Sequence, residues 1–166
     1  FDVSEVEAWV KRMDKLLPGT QHEFFADIKM DGLTCALIYQ DGVLQQAVTR
    51  GDSYEGEDVT MNIRTIKNVP LRLRHTEAYA KFLTGRTEVR GEVVMLKKDF
   101  ALLNDQQRAA GKPEFANPRN LSAGTVRQLD PALVASRPLH FRGYDVIRDD
   151  ADDVPTNMYA YKALTA

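Results

Sequence analysis

The sequence predicts an α+β fold, mainly antiparallel strands with flanking helices. Three features point that way. Strand-forming runs flank Asp41-Gly42, a dipeptide suited to a tight hairpin because both residues tolerate positive φ. Thr87 to Leu96 alternates charged and apolar residues, with Glu88, Arg90 and Glu92 on one face and Val89, Val93 and Met95 on the other. Helix-start signatures at Ser4 and Asn117 stand apart from these runs, so helices flank the strands.

In chain order, Ser4 and Glu7 have the spacing of a capping box. Val6, Trp9, Val10, Met13 and Leu17 then recur at helical spacing until Pro18-Gly19. That pattern predicts an amphipathic helix packed on the rest of the fold. The apolar run 24–30, closed by Asp31-Gly32, precedes strand-like runs 33–40 and 43–49. Three consecutive antiparallel strands are expected there. Arg50 to Asp58 reads as a polar loop with two glycines and carries neither a Walker loop nor a dinucleotide fingerprint. Asp58 or Thr60 is placed to cap a short helix through Ile66, before Val69-Pro70-Leu71 restarts extended chain. Asp99 to Ala110 reads as a helix with Phe100, Leu103 and Ala110 on one side, ended by Gly111-Lys112-Pro113. Asn117 as N-cap with Pro118 at the first helical position starts another. Asp130-Pro131 and Arg137-Pro138 bracket a turn region. Leu139 to Ile147 is a last strand with His140, Arg142 and Tyr144 on one face, followed by an acidic linker from Asp149 to Asp153.

At 166 residues, 43% hydrophobic and 28% charged, the chain suits one domain with a core of its own. A net charge of -2 leaves no overall electrostatic footprint for nucleic acid, so such contacts must come from local clusters of cations. Cys35 is alone and sits in an apolar run, which suggests a buried structural thiol. No apolar stretch approaches a membrane span and no signal pattern opens the chain, so a cytoplasmic location is expected. The opening Phe1 and the closing run 161–166, which reads as an unfinished helix, suggest a piece of something longer.

Strand periodicity over 24–30 puts Phe25, Asp27 and Lys29 on one face, so a lysine amine stands beside a carboxylate near a turn. A desolvated lysine is a nucleophile, whereas a lysine on an edge strand simply keeps a sheet soluble. Both readings stand on these residues alone. The Glu88, Arg90 and Glu92 row is either a solvated sheet face or a polar pocket floor. Arg119 and Arg127, eight residues apart on a helix, are either solvated or set to fork onto phosphate oxygens. His22, His75 and His140 show no metal-ligand spacing.

Taken together these blocks resemble the adenylation (nucleotidyltransferase) domain of bacterial NAD-dependent DNA ligases. Lys29-Met30-Asp31-Gly32 matches the short Lys-x-Asp-Gly signature of covalent nucleotidyltransferases. The surrounding blocks are more specific: Thr49-Arg50-Gly51-Asp52, the run from Gly56 to Ile66, and Glu88-Val89-Arg90-Gly91-Glu92-Val93. Phe115-Ala116-Asn117-Pro118-Arg119-Asn120, Arg127-Gln128-Leu129-Asp130 and Arg137-Pro138-Leu139 follow in the family's order, so the resemblance covers about residues 1–147. It implies a partial domain of the fold shared by DNA ligases and mRNA capping enzymes, which is ATP-grasp-like.

The resemblance also implies a chemistry. Lys29 would attack the adenylyl phosphorus of NAD, releasing nicotinamide mononucleotide, with Asp31 supporting the lysine and the reacting strand. The AMP would then pass to a 5′-phosphate in nicked double-stranded DNA, and the 3′-hydroxyl would displace it. Asp27 would face adenine, Arg50 the ribose or phosphate end, and Glu92 the ribose or a magnesium ion. Tyr144 would stack on adenine, and Arg119 and Arg127 would hold AMP or nick phosphates. The family usually carries Glu where Asp27 stands, so that contact would be looser or water-bridged. Its nicotinamide mononucleotide module, its later adenylation motifs, and its OB and further domains do not occur in these residues. A monomeric fragment, weak or inactive by itself, is therefore expected. An ATP-using nucleotidyltransferase and a non-catalytic nucleotide-binding relative are the alternatives.

Overall fold

The computed structural model describes residues 2–51 and 55–166, so Asp52, Ser53 and Tyr54 of the expected polar loop lie outside the described residues. The centre is a four-stranded antiparallel sheet of order β2-β1-β3-β4, made of β1 (Leu33–Gln40), β2 (Val43–Thr49), β3 (Arg86–Met95) and β4 (Leu139–Arg148). The β1–β2 hairpin turns at Asp41 and Gly42, whose φ values of 49° and 72° are the left-handed pair that a two-residue turn demands.

One sheet face carries the core. Cys35, Leu37 and Tyr39 of β1 lie with Leu44 and Ala47 of β2, Val89, Val93 and Met95 of β3, and Leu139 and Phe141 of β4. Short helices cover this face: α2 (Thr60–Ile63), α4 (Pro118–Val126) and α5 (Pro131–Ala135) contribute Ile63, Val126 and Val134, and α3 (Lys97–Ala109) adds Phe100 and Leu103 at its margin. A second cluster of Phe82, Val146 and Ala160 joins β4 to α6 (Asn157–Leu164). Cys35 is fully buried and its thiol is pushed up to about 12 by that burial, as expected of a structural cysteine.

Side-chain amides fasten the covering layer. Asn62 donates to the carbonyls of Val126 and Gln128, each at 2.7 Å, which locks α2 to the end of α4. Asn68 exchanges a pair of hydrogen bonds with the backbone of Phe141. Asn104 does the same at Phe115 and thereby fixes the approach to α4. These amides, of which Asn62 and Asn104 are buried, satisfy backbone groups that lack a ladder partner.

Several expectations need correction. Residues 21–31 form no strand, so only two of the three expected consecutive strands exist. Both edges of β1 are taken by β2 and β3, and no described strand offers the 24–30 run a ladder. The helix-start box at the N-terminus belongs to Asp2 and Glu5 rather than Ser4 and Glu7: Asp2 accepts from the Glu5 backbone N–H at 3.0 Å, and Glu5 accepts from the Asp2 N–H at 2.9 Å. Its helix, α1 (Val3–Leu16), buries none of its residues, so it is not the packed helix expected. α2 stops at Ile63, short of Ile66, and α3 begins at Lys97, two residues early. The turn region after Asp130-Pro131 contains a helix, α5. The acidic stretch is not a free linker, because Asp153 accepts from Arg148 at 3.0 Å and lies 3.5 Å from Lys81. A 3-10 segment at Glu77–Leu83, kinked at Tyr79 and marked by no capping or breaker motif, supplies Lys81 and Phe82.

Candidate functional site

The sheet face opposite the core is uncovered by these helices and polar. Strand register sets its order. The backbone N–H of Arg50 donates to Thr34 O at 3.2 Å, Thr34 stands opposite Glu92, and Glu92 stands opposite Arg142. Arg50, Thr34, Glu92 and Arg142 therefore form one row across the sheet, since paired residues point to the same face. Ala36, Arg90 and Asp145 make the next row, and Ile38, Glu88 and Ile147 the one beyond.

Within this face the charges are fixed. Thr34 Oγ1 donates to Glu92 Oε1 at 2.6 Å. Glu88, only 8% exposed, accepts from Arg90 Nε at 2.7 Å and from Arg86. Burial alone would raise the Glu88 carboxyl, but the hydrogen bonds from Arg90 and Arg86 outweigh it and hold the group below its ordinary value. The expected alternative of a wholly solvated charged row does not describe Glu88. It describes Arg90, which is exposed.

Tyr144 lies on this face at a bulge. Arg90 pairs with Asp145 and Gly91 with Gly143, which leaves Tyr144 as the extra residue. Alternation from Arg142 still places Tyr144 on this face and breaks only after it, so that Asp145 faces the same side. The Tyr144 phenol is raised by partial burial and then by the Glu92 charge, with Arg50, Arg90 and Asp145 also acting on it. Tyr144 thus shares this face with Glu92 and Arg50, whose charges act on its phenol.

Lys29 and Asp31 arrive from the irregular segment. Lys29 is exposed and makes no hydrogen bond or ion pair among the described residues. Gly32 anchors the segment against β3: a Cβ there would lie 2.3 Å from Val93 O, so only glycine permits the approach. Three residues span at most about 11 Å, which keeps the Lys29 backbone within that reach of Gly32, beside the neighbour of Glu92. Asp31 accepts from Arg119 Nη1 at 3.1 Å. Arg119 sits in the first turn of α4, where the Asn117 side chain accepts from the Asn120 N–H at 2.7 Å and Pro118 takes the first helical position, as expected. Arg127, the C-cap residue of α4, donates to Glu57 at 2.5 Å.

The structure places Arg50, Glu92 and Tyr144 on one sheet face and joins Arg119 to Asp31. It does not bring Asp27 to them. The Asp27 carboxylate accepts from the Ile28 N–H at 2.6 Å and from the Tyr161 hydroxyl, a bond that pushes the Tyr161 phenol up to about 12. Phe25 packs on the same Tyr161 ring, centroids 5.1 Å apart. Thr34, Glu57 and Tyr161 were not singled out in the sequence. Only strand register would reveal Thr34, and nothing local marks the other two. Among the described residues no three His, Cys, Asp or Glu side chains gather as a metal site, and no helix is long and apolar enough to cross a membrane.

Across residues 1–166 the sequence matches the family model described as NAD-dependent DNA ligase adenylation domain. It is similar to the DNA ligase of Neisseria gonorrhoeae, with 50% identity over 148 residues, 89% of this chain and 17% of that protein. The DNA ligase of Thermomicrobium roseum is 48% identical over 146 residues, 88% of this chain and 21% of that protein. That of Acinetobacter baylyi is 46% identical over 147 residues, again 88% of this chain and 21% of the relative. The chain therefore spans about a fifth of the length of the curated relatives it matches.

Proposed function

Because the chain belongs to the NAD-dependent DNA ligase adenylation domain family, we propose that it is the part of a DNA ligase that takes AMP from NAD and passes it to nicked double-stranded DNA. The observation that carries this reading is the uncovered polar sheet face, where an aromatic ring, a carboxylate and an arginine lie on one side beside the Lys29 segment. A flat ring suits a base, a carboxylate suits ribose hydroxyls, and guanidinium groups suit phosphates.

The neutral Lys29 amine attacks the adenylyl phosphorus of NAD. A phosphorus–nitrogen bond forms, the pyrophosphate bond breaks, nicotinamide mononucleotide leaves, and the amine loses a proton to solvent. A 5′-phosphate oxygen at the nick then attacks the same phosphorus and returns the electron pair to Lys29. Attack by the 3′-hydroxyl on the resulting diphosphate seals the strand and frees AMP. Such transfers depend on positioning and on neutralising charge.

In this reading Tyr144 stacks on adenine, Glu92 takes the ribose, Arg50 takes the ribose or phosphate end, and Arg119 and Arg127 take phosphates. Asp31, held by Arg119, aligns the Lys29 segment. Asp27 faces adenine only if it exchanges Tyr161 for the base. Among the described residues no acidic cluster surrounds Glu92, and a lone carboxylate suits magnesium, which keeps several waters and is shared with substrate phosphates. Glu92 would hold it, and the ion would neutralise phosphate charge. The fold is that of covalent nucleotidyltransferases, with residues 1–166 as one partial domain, monomeric and cytoplasmic. These residues by themselves seal nicks weakly or not at all, because they span only part of what the relatives contain.

The test is intact mass with peptide mapping on the full-length protein, incubated with magnesium and either NAD or ATP. An adenylate on Lys29 from NAD is the expected result. An adduct formed only from ATP would move the protein to the ATP-using enzymes, and none from either would leave a binding module.

A further inference from the structure

We infer that Thr34 is a positioning residue for Glu92, holding one carboxylate oxygen so that the other is left for the substrate. The inference rests on the reading above, in which Glu92 meets the nucleotide.

Thr34 and Glu92 are directly opposed on β1 and β3 and point to the same face. A hydroxyl has one hydrogen to donate, and here it goes to Glu92 Oε1 at 2.6 Å, within the range of a charge-assisted bond. Arg142 stands across from Glu92 on β4, yet no ion pair joins them among the described residues. Oε1 is therefore occupied, and Oε2 has no partner among the described residues. A glutamate on a sheet has three side-chain torsions to order before it can accept from a ligand. Fixing Oε1 on a β-branched residue, whose own rotamer is restricted, removes much of that freedom before substrate arrives. Thr34 is itself set by the backbone bond from Arg50, so the device spans three members of the row. The group that Oε2 would receive is a hydroxyl donor such as a ribose hydroxyl, or a hydrated divalent cation.

Single-turnover adenylation of the full-length protein, followed by the Lys29 adduct at varied NAD, tests this. In Thr34→Val, which keeps the shape and deletes the donor, the half-saturating NAD concentration should rise roughly tenfold, the usual weight of one charge-assisted bond. The limiting rate should change little, and Thr34→Ser should restore the wild-type value. In a Glu92→Ala background, which leaves the Thr34 hydroxyl no acceptor at that position, Thr34→Val should have no further effect, because coupled residues are non-additive. A Thr34→Val enzyme that saturates like wild type, or one whose defect persists unchanged in the Glu92→Ala background, would overturn the inference. A wild-type protein that forms no Lys29 adduct from NAD would instead overturn the reading on which it rests.

Discussion

Arg119, in the first turn of α4, donates to Asp31, the residue before Gly32, at 3.1 Å across 88 positions of chain. The pair ties the Lys29 segment to the helix. Both side chains are largely exposed, at 62% and 72%, so the bond itself contributes at most about 1 kcal/mol to stability. Arg119→Ala should therefore shift the thermal midpoint only slightly. If Arg119 meets substrate phosphate, the same change should slow adenylate formation by at least about a hundredfold. A variant that melts as wild type and reacts as wild type would remove Arg119 from the site.

Lys29→Arg separates charge from nucleophilicity. Arginine keeps the positive charge but cannot present a neutral nitrogen, since its guanidinium stays protonated. Lys29 is exposed and unpaired among the described residues, so thermal stability should be unchanged. The adenylate adduct should disappear from the intact mass. An adduct that survives at another residue would show that the nucleophile has been misassigned.

How much of this was legible in the sequence depends on where the determinant lies. The Asp41-Gly42 hairpin and the Asn117-Pro118 helix start were readable because a few adjacent residues decide them through φ and capping. The strand expected at 24–30 failed because an apolar run states a preference, whereas a strand needs a neighbour to bond. The Tyr144 bulge was invisible for a related reason: it inserts one residue into a strand whose alternation looks regular. The site residues were found by type and by resemblance. Their partners Thr34, Glu57 and Tyr161 come from register and distant chain, which no local pattern encodes.

Gly91 should be intolerant of any side chain. A Cβ there would lie 2.4 Å from both Arg142 O and the Phe141 ring, beside the bulge that presents Tyr144. Backbone oxygen cannot yield as a flexible side chain can. Gly91→Ala should cost about 2–3 kcal/mol, measured by urea unfolding, and should weaken nucleotide binding because β3 and β4 must separate at Tyr144. Unchanged stability would mean that the two strands are not in this register.

The buried Glu88 should make stability acid-sensitive. Its carboxyl is held below the ordinary value of 4.5 by Arg90 and Arg86, so the folded state favours the ionised form. That contribution is complete above the unfolded value and is lost as pH falls through the folded one. The stability difference between wild type and Glu88→Gln should therefore be largest near neutral pH and narrow below about pH 4.5. A difference that is constant from pH 7 to pH 3.5 would mean that Glu88 is not ionised between the two arginines.

The resting place of the Lys29 segment can be read from Tyr161. Its phenol is pushed up to about 12 by donating to Asp27, while the Phe25 ring lies against it. The shift favours the protonated tyrosine in the folded chain, so this contact is present below pH 10 and lost as pH rises through about 12. In an ultraviolet titration Asp27→Asn should return one tyrosine toward its ordinary range, and Tyr161→Phe should delete that same transition. Binding of a nucleotide analogue should act like Asp27→Asn if Asp27 leaves Tyr161 to meet adenine. A Tyr161 transition that does not respond to Asp27→Asn would mean that the segment does not rest on α6, and the path from Phe25 to Lys29 would have to lie elsewhere.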